Sequence, residues 1–117
     1  VSDASFPKSA RLRRRSEFDA LRNATARTGS SHFVFVLKPT EAPARLGIIV
    51  SKRVGSAVRR NRVKRLCREC FRQWPALRQA RADILVIAKP GAPGLDLAAT
   101  KREFQRLLKL LHARSGA

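Results

Sequence analysis

The stretch Ser51–Pro75, SKRVGSAVRRNRVKRLCRECFRQWP, constrains this chain more than any other segment. Gly55 stands near its start and Pro75 at its end, the punctuation expected around a helix. A helix is therefore predicted from about Ser56 to Trp74. At about 100° of turn per residue, Val63, Leu66, Cys67, Cys70 and Trp74 share one sector of it. Asn61, Lys64, Arg65, Arg68 and Arg72 fall on the opposite side. An apolar stripe has to be covered by another layer. The opposite ridge of positive charge has no such packing explanation.

The covering layer is legible as strands. Ser31 to Lys38, SHFVFVLK, is rich in β-branched and aromatic residues, and Arg45 to Ser51, RLGIIVS, follows after the polar turn Thr40-Glu41-Ala42-Pro43. The simplest pairing of these two strands is antiparallel. Asp83 to Lys89, DILVIAK, is a continuous apolar run of strand length, which implies burial on both faces. The loop KPGAPGLD comes next. Thr100-Lys101-Arg102-Glu103 reads as a capping box opening a last helix, with Phe104, Leu107, Leu108 and Leu111 as its apolar stripe. His112 to Ala117 is expected to fray.

At the other end, segment 1–15 is basic and irregular, with Arg11, Arg13, Arg14 and Arg15 clustered. Ser16-Glu17-Phe18-Asp19 forms a further capping box. It predicts a helix to about Ala26, with Phe18 and Leu21 on one face and an end near Thr28-Gly29. The expected order is α-β-β-α-β-α. That is an α+β sandwich of helices on a small mixed sheet, in a single domain over residues 1–117.

Charge decides what such a domain can do. Lys and Arg number 26 against 8 Asp and Glu, a net charge of +18. A hydrophobic fraction of 44% is too high for a disordered basic tail. No apolar run approaches the roughly 20 residues of a membrane span, and VSDASFPKSARLRRR lacks the apolar core of a signal peptide. A soluble cytoplasmic protein is expected. Between Lys52 and Arg72 the only acid is Glu69, so pairing along the helix cannot neutralise the ridge. Like charge held this close implies a bound polyanion, and guanidinium forks suit phosphate. Nucleic acid fits this better than an anionic membrane surface.

Catalytic chemistry has little support. Cys67 and Cys70 form a lone C-x-x-C inside an apolar-periodic helix, which favours two small core residues over a zinc or redox site. His32 and His112 are far apart in sequence, and the acids are scattered with no metal-binding spacing. No Walker loop, dinucleotide fingerprint or G-x-S-x-G appears. The residues point to a binder, with no small-molecule substrate.

The run Ser51-Lys52-Arg53-Val54-Gly55-Ser56-Ala57-Val58-Arg59-Arg60-Asn61-Arg62-Val63-Lys64-Arg65-Leu66 closely resembles the signature of the bacterial ribonuclease P protein subunit. The resemblance extends to Phe6-Pro7, Arg11-Leu12, Ser16-Glu17-Phe18, Gly47, Arg68-Glu69, Phe71-Arg72 and Ala88-Lys89. It implies a protein cofactor of a ribozyme whose RNA subunit removes the 5′ leader of precursor tRNA and binds the catalytic magnesium. By position, it places Arg59, Arg60, Asn61, Arg62, Lys64, Arg65 and Arg68 against the ribonuclease P RNA. It places Phe18, Val36, Ser51, Lys52, Arg53 and Lys89 at or near a cleft for the leader. Relatives often carry aromatics where this chain has Arg22 and Val36, so backbone charge is expected to outweigh stacking here. The resemblance also implies a left-handed β-α-β crossover, against the usual right-handed rule.

Two other classes share the charge and size. A ribosomal RNA-binding protein differs only in lacking the ordered signature around Asn61. A DNA-binding protein would need the basic helix free to enter a major groove, whereas this one is amphipathic and has to pack on a sheet.

Overall fold

The computed structural model describes Arg11 and residues 26–115. Four strands, β1 (Ala26–Gly29), β2 (Phe33–Pro39), β3 (Arg45–Ile49) and β4 (Ala82–Ala88), form one sheet in the order β1-β2-β4-β3. Helices α1 (Ala57–Gln73), α2 (Pro75–Arg78) and α3 (Leu97–Ser115) complete the α+β architecture, with short 3-10 turns at Lys52–Val54 and Ala92–Gly94. Among the described residues no helix is long and apolar enough to cross a membrane.

The apolar run of β4 explains its central place, since a strand covered on both faces needs apolar side chains on both. It runs antiparallel to β2, from Phe33 opposite Ala88 to Pro39 opposite Ala82, and parallel to β3, from Arg45 opposite Asp83 to Ile49 opposite Ile87. This corrects the expected pairing of the second and third strands. β2 and β3 point in opposite directions but are not neighbours, because β4 lies between them.

A second correction concerns Ala26–Gly29, expected at the end of a helix. These residues form edge strand β1 on β2, from Ala26 opposite Leu37 to Gly29 opposite Val34. A helix here would leave that edge of β2 unpaired. The turn falls at Ser30–His32 instead, closed by Ser30 N–H donating to the Phe33 carbonyl at 2.8 Å. The capping box at Ser16, the body of its helix and segment 1–10 lie outside the described residues.

Helix α1 keeps close to its expected limits. Ser56 is its N-cap, its hydroxyl accepting from Arg59 N–H, and Val63, Cys67, Cys70 and Phe71 are buried. Phe71 thus joins the apolar face, while Leu66 and Trp74 are only half-buried. Pro75 ends α1 and at once supplies the first position of α2, where its missing N–H costs nothing.

Helix α3 starts earlier than expected. Asp96 fills the capping role, its carboxylate accepting from Ala99 N–H at 2.8 Å. Thr100, expected as the cap, is fully buried within the first turn, and its hydroxyl donates back to the Asp96 carbonyl. Glu103 is committed elsewhere, as shown below. The helix continues through His112 to Ser115, so the fraying expected from His112 onward does not hold there.

Alternation along the strands separates the two sheet faces. Phe33, Phe35, Leu37, Leu46, Ile84 and Val86 pack against α1 and α3, with Phe104 edge-on to both phenylalanines at centroid distances of 5.7 and 5.0 Å. Val36 and Leu85 form a second buried cluster, with Val34, Ile49 and Ile87 packed against it.

Candidate nucleic-acid interface

The basic helix is launched by a tight turn. Val54 is buried and pins the turn, while Lys52 and Arg53 just before it stay exposed. Gly55 has φ +145°, a backbone conformation that L side chains rarely adopt. A Cβ placed there would come within 2.9 Å of Arg59 Cδ. Glycine lets the Arg59 stem fold over the turn.

Along α1, Arg59, Asn61, Arg62 and Arg65 are exposed, and Arg60, Lys64, Arg68 and Arg72 are half-buried. The structure divides this set. Arg72 makes a two-pronged pair with Glu69 at 2.7 and 3.1 Å, and Gln73 donates to the same carboxylate at 2.9 Å. Those bonds, that from Arg72 first, hold the Glu69 carboxyl below the usual carboxylate range. Arg62 leaves the ridge in another direction. Its guanidinium donates to the Pro93 carbonyl at 3.3 Å and the Leu95 carbonyl at 2.9 Å, tying α1 to the loop before α3.

What remains together is Arg60, Asn61, Lys64, Arg65 and Arg68. Arg60 Nε is buried with no hydrogen-bond partner among the described residues. The Arg68 guanidinium is pushed below its ordinary value, first by burial and then by the positive charge of Arg11. Arg11 lies close enough to Arg68 to act on its charge, and its backbone makes an isolated parallel bridge to Leu46 of β3. Its place there was not legible in the sequence, where it read only as one of a cluster of N-terminal arginines. Among the described residues no acid pairs with these five side chains. Asp83 pairs with Arg45 at 2.8 Å, Asp96 caps α3, Glu69 holds Arg72, and Glu103 is bound to the β1–β2 turn.

The remaining candidates gather elsewhere. Val36 has 0% exposure and supports the sheet face opposite α1 and α3 from within. Lys89 and Ser51 follow the C-terminal ends of the parallel neighbours β4 and β3, and so lie at the same end of the sheet. Lys89 Nζ donates to the Ser30 carbonyl at 2.7 Å. Lys52 and Arg53 form the rim at this end of the sheet. Phe18 lies outside the described residues.

The cysteines behave as core. Cys67 and Cys70 are free and buried, and burial pushes both thiols up, Cys70 to about 12. Among the described residues no three His, Cys, Asp or Glu side chains come together as a metal site. What the two basic surfaces can do is hold phosphate on two sides of one sheet.

Comparison with known proteins gives the same direction. The family model described as Ribonuclease P matches residues 6–112. The ribonuclease P protein component of Geotalea uraniireducens is 44% identical over 108 residues, covering 92% of this chain and 95% of that protein. That of Citrifermentans bemidjiense is 42% identical over 97 residues, covering 82% and 83%. Among solved structures, the RNase P protein of Staphylococcus aureus superposes with a TM-score of 0.76 at 29% identity, covering 88% of this chain and 95% of the other. The Thermotoga maritima RNase P protein gives 0.75 at 30% identity, covering 85% and 94%.

Proposed function

This chain belongs to the ribonuclease P protein family, and from that premise we propose that it is the protein component of a tRNA-processing ribonuclease. In this reading residues 1–117 act in the cytoplasm as one RNA-binding domain. The ribonuclease P RNA cleaves the 5′ leader from precursor tRNA, and the protein assists by binding. The observation that carries the proposal is the division of charge across the sheet. Arg60, Asn61, Lys64, Arg65 and Arg68 form a ridge on α1 that no acid among the described residues pairs with, and Arg59 stands at its start. Ser51, Lys52, Arg53 and Lys89 gather at one end of the sheet, beside the face opposite α1.

The ridge suits the phosphates of a folded RNA, which guanidinium groups grip in pairs. The sheet end suits a single-stranded leader, whose backbone it can follow with Lys52, Arg53 and Lys89, with Val36 shaping the floor beneath and Phe18 offering a stacking surface. Arg62 serves the ridge indirectly, by fixing the 93–95 loop against α1. In this reading magnesium belongs with the RNA subunit.

The test is cleavage of precursor tRNA by a bacterial ribonuclease P RNA at low magnesium, with and without the protein. Stimulation that disappears in an Arg60→Ala, Arg65→Ala double variant is the expected result. A folded wild-type protein that gives no stimulation refutes the proposal.

A further inference from the structure

Glu103 on α3 gathers one group of polar contacts that the surfaces above do not account for. Its Oε1 accepts from Ser30 Oγ–H at 2.6 Å and from His32 N–H at 2.7 Å, and its Oε2 bonds His32 Nδ1. Burial pushes the Glu103 carboxyl up, but the bonds from Ser30 and His32 outweigh that and hold it below the usual range. The His32 ring is fixed on a second side by Gly91, where a Cβ would lie 2.9 Å from its Cδ2. With Nδ1 engaged, Nε2 is the one ring nitrogen left, and it has no hydrogen-bond partner among the described residues. The His32 side chain is 33% exposed.

Its neighbours are the reason this matters. His32 lies directly across the ladder from Lys89, whose N–H donates to the His32 carbonyl at 2.9 Å. The Lys89 ammonium in turn caps the Ser30 carbonyl, one turn of chain away. Glu103, Ser30, His32 and Lys89 therefore form one connected polar group at this end of the sheet, anchored on α3 by Glu103. A clamped imidazole costs little further side-chain entropy when it binds.

We propose that His32 is an additional contact for the precursor-tRNA leader, its Nε2 meeting the phosphodiester backbone or a base edge beside Lys89, with Glu103 as the positioning residue. This rests on the proposed function above and extends it to a residue that in the sequence stood out only as one of two histidines far apart in the chain. Ligand chemistry of this kind is ordinary for histidine, which can donate or accept at the free ring nitrogen.

The test compares holoenzymes containing the wild-type protein or His32→Ala. Affinity is measured for precursor tRNA, for the same tRNA without its leader, and for the ribonuclease P RNA. His32→Ala is expected to reduce the preference for precursor over leaderless tRNA by roughly tenfold, the scale of one hydrogen bond to a charged group. Its affinity for the RNA subunit and for leaderless tRNA should not change. Full retention of the preference overturns the inference, and so does an equal loss toward all three RNAs, which marks a structural role. A wild-type holoenzyme with no preference for precursor refutes the parent proposal instead. A second measurement avoids any variant. Imidazole NMR of the full wild-type chain, titrated with a short single-stranded oligoribonucleotide of leader sequence, should move the His32 ring signals and leave those of His112 in place. A response at His112 alone overturns the inference.

Discussion

The pairing of Arg72 with Glu69 allows the ridge on α1 to be tested by salt. A cation that displaces counterions from RNA adds about 0.9 to the slope of log K against log salt for each phosphate neutralised, or about 0.7 where the contact is to a single strand. Arg60, Lys64, Arg65 and Arg68 pair with no acid among the described residues, so four contacts would give a slope near −3.6 from this surface, or roughly 150-fold over a fourfold change in salt. Arg72 should add nothing, because both prongs of its guanidinium are spent on Glu69 at 2.7 and 3.1 Å. Arg65→Ala is therefore expected to flatten the slope by about 0.9, which is about 3.5-fold across that range. Arg72→Ala should leave the slope unchanged. Glu69→Gln supplies the converse, since it frees Arg72 and should steepen the slope. Fluorescence titration of the ribonuclease P RNA with each variant, from about 50 to 200 mM salt, reads all three. Equal flattening by Arg65→Ala and Arg72→Ala would show that the charge is a diffuse field and would refute the division of the ridge drawn here.

Other consequences concern the fold itself. A chain of +18 should gain thermal stability from millimolar sulfate, which screens the ridge by binding it; a melt that ignores sulfate contradicts this. Gly55→Ala forces a side chain into φ +145° and onto Arg59, and should cost about 1–3 kcal/mol, read as a drop of several degrees in Tm. Glu103 has a depressed folded pKa, so its contribution is present above the unfolded value near 4.3 and is lost as pH falls through the folded one. Glu103→Gln should remove that part of the acid sensitivity, measured as the difference in stability between neutral and acid pH. Cys67 and Cys70 should resist a thiol reagent in the native protein and react on unfolding, because burial raises both thiols and closes access.

Much of the binding surface was legible because it is local. A helix with a 3.6-residue period displays its faces in the sequence, and Val63, Cys67 and Cys70 on one side with Lys64, Arg65 and Arg68 on the other needed no tertiary information. The continuous apolar run of β4 likewise announced a strand buried on both faces. Side-chain commitments were not legible. Arg62 and Arg72 read as members of the same basic run as Arg65, yet one is spent on carbonyls some thirty residues along the chain and the other on a neighbouring carboxylate. The cap of α3 misled for a related reason. Thr100 and Glu103 have capping-box spacing, but Asp96 is available one turn earlier, and burial of Thr100 leaves Glu103 free to reach the β1–β2 turn.

The sequence alone determined a basic amphipathic helix, a sheet to cover it and an excess of positive charge. Each of these follows from residue type and short-range period. Only the tertiary structure decided that β4 separates β2 from β3, that Ala26–Gly29 closes the sheet as an edge strand, and that Lys89 and Ser51 come to the same end of the sheet. Strand order is settled by which pairing buries the most apolar surface and leaves the fewest unpaired backbone groups, a sum over the whole chain that no local pattern records. The same sum brings Glu103 to His32, seventy-one positions apart in sequence, and pairs the His32 backbone with that of Lys89.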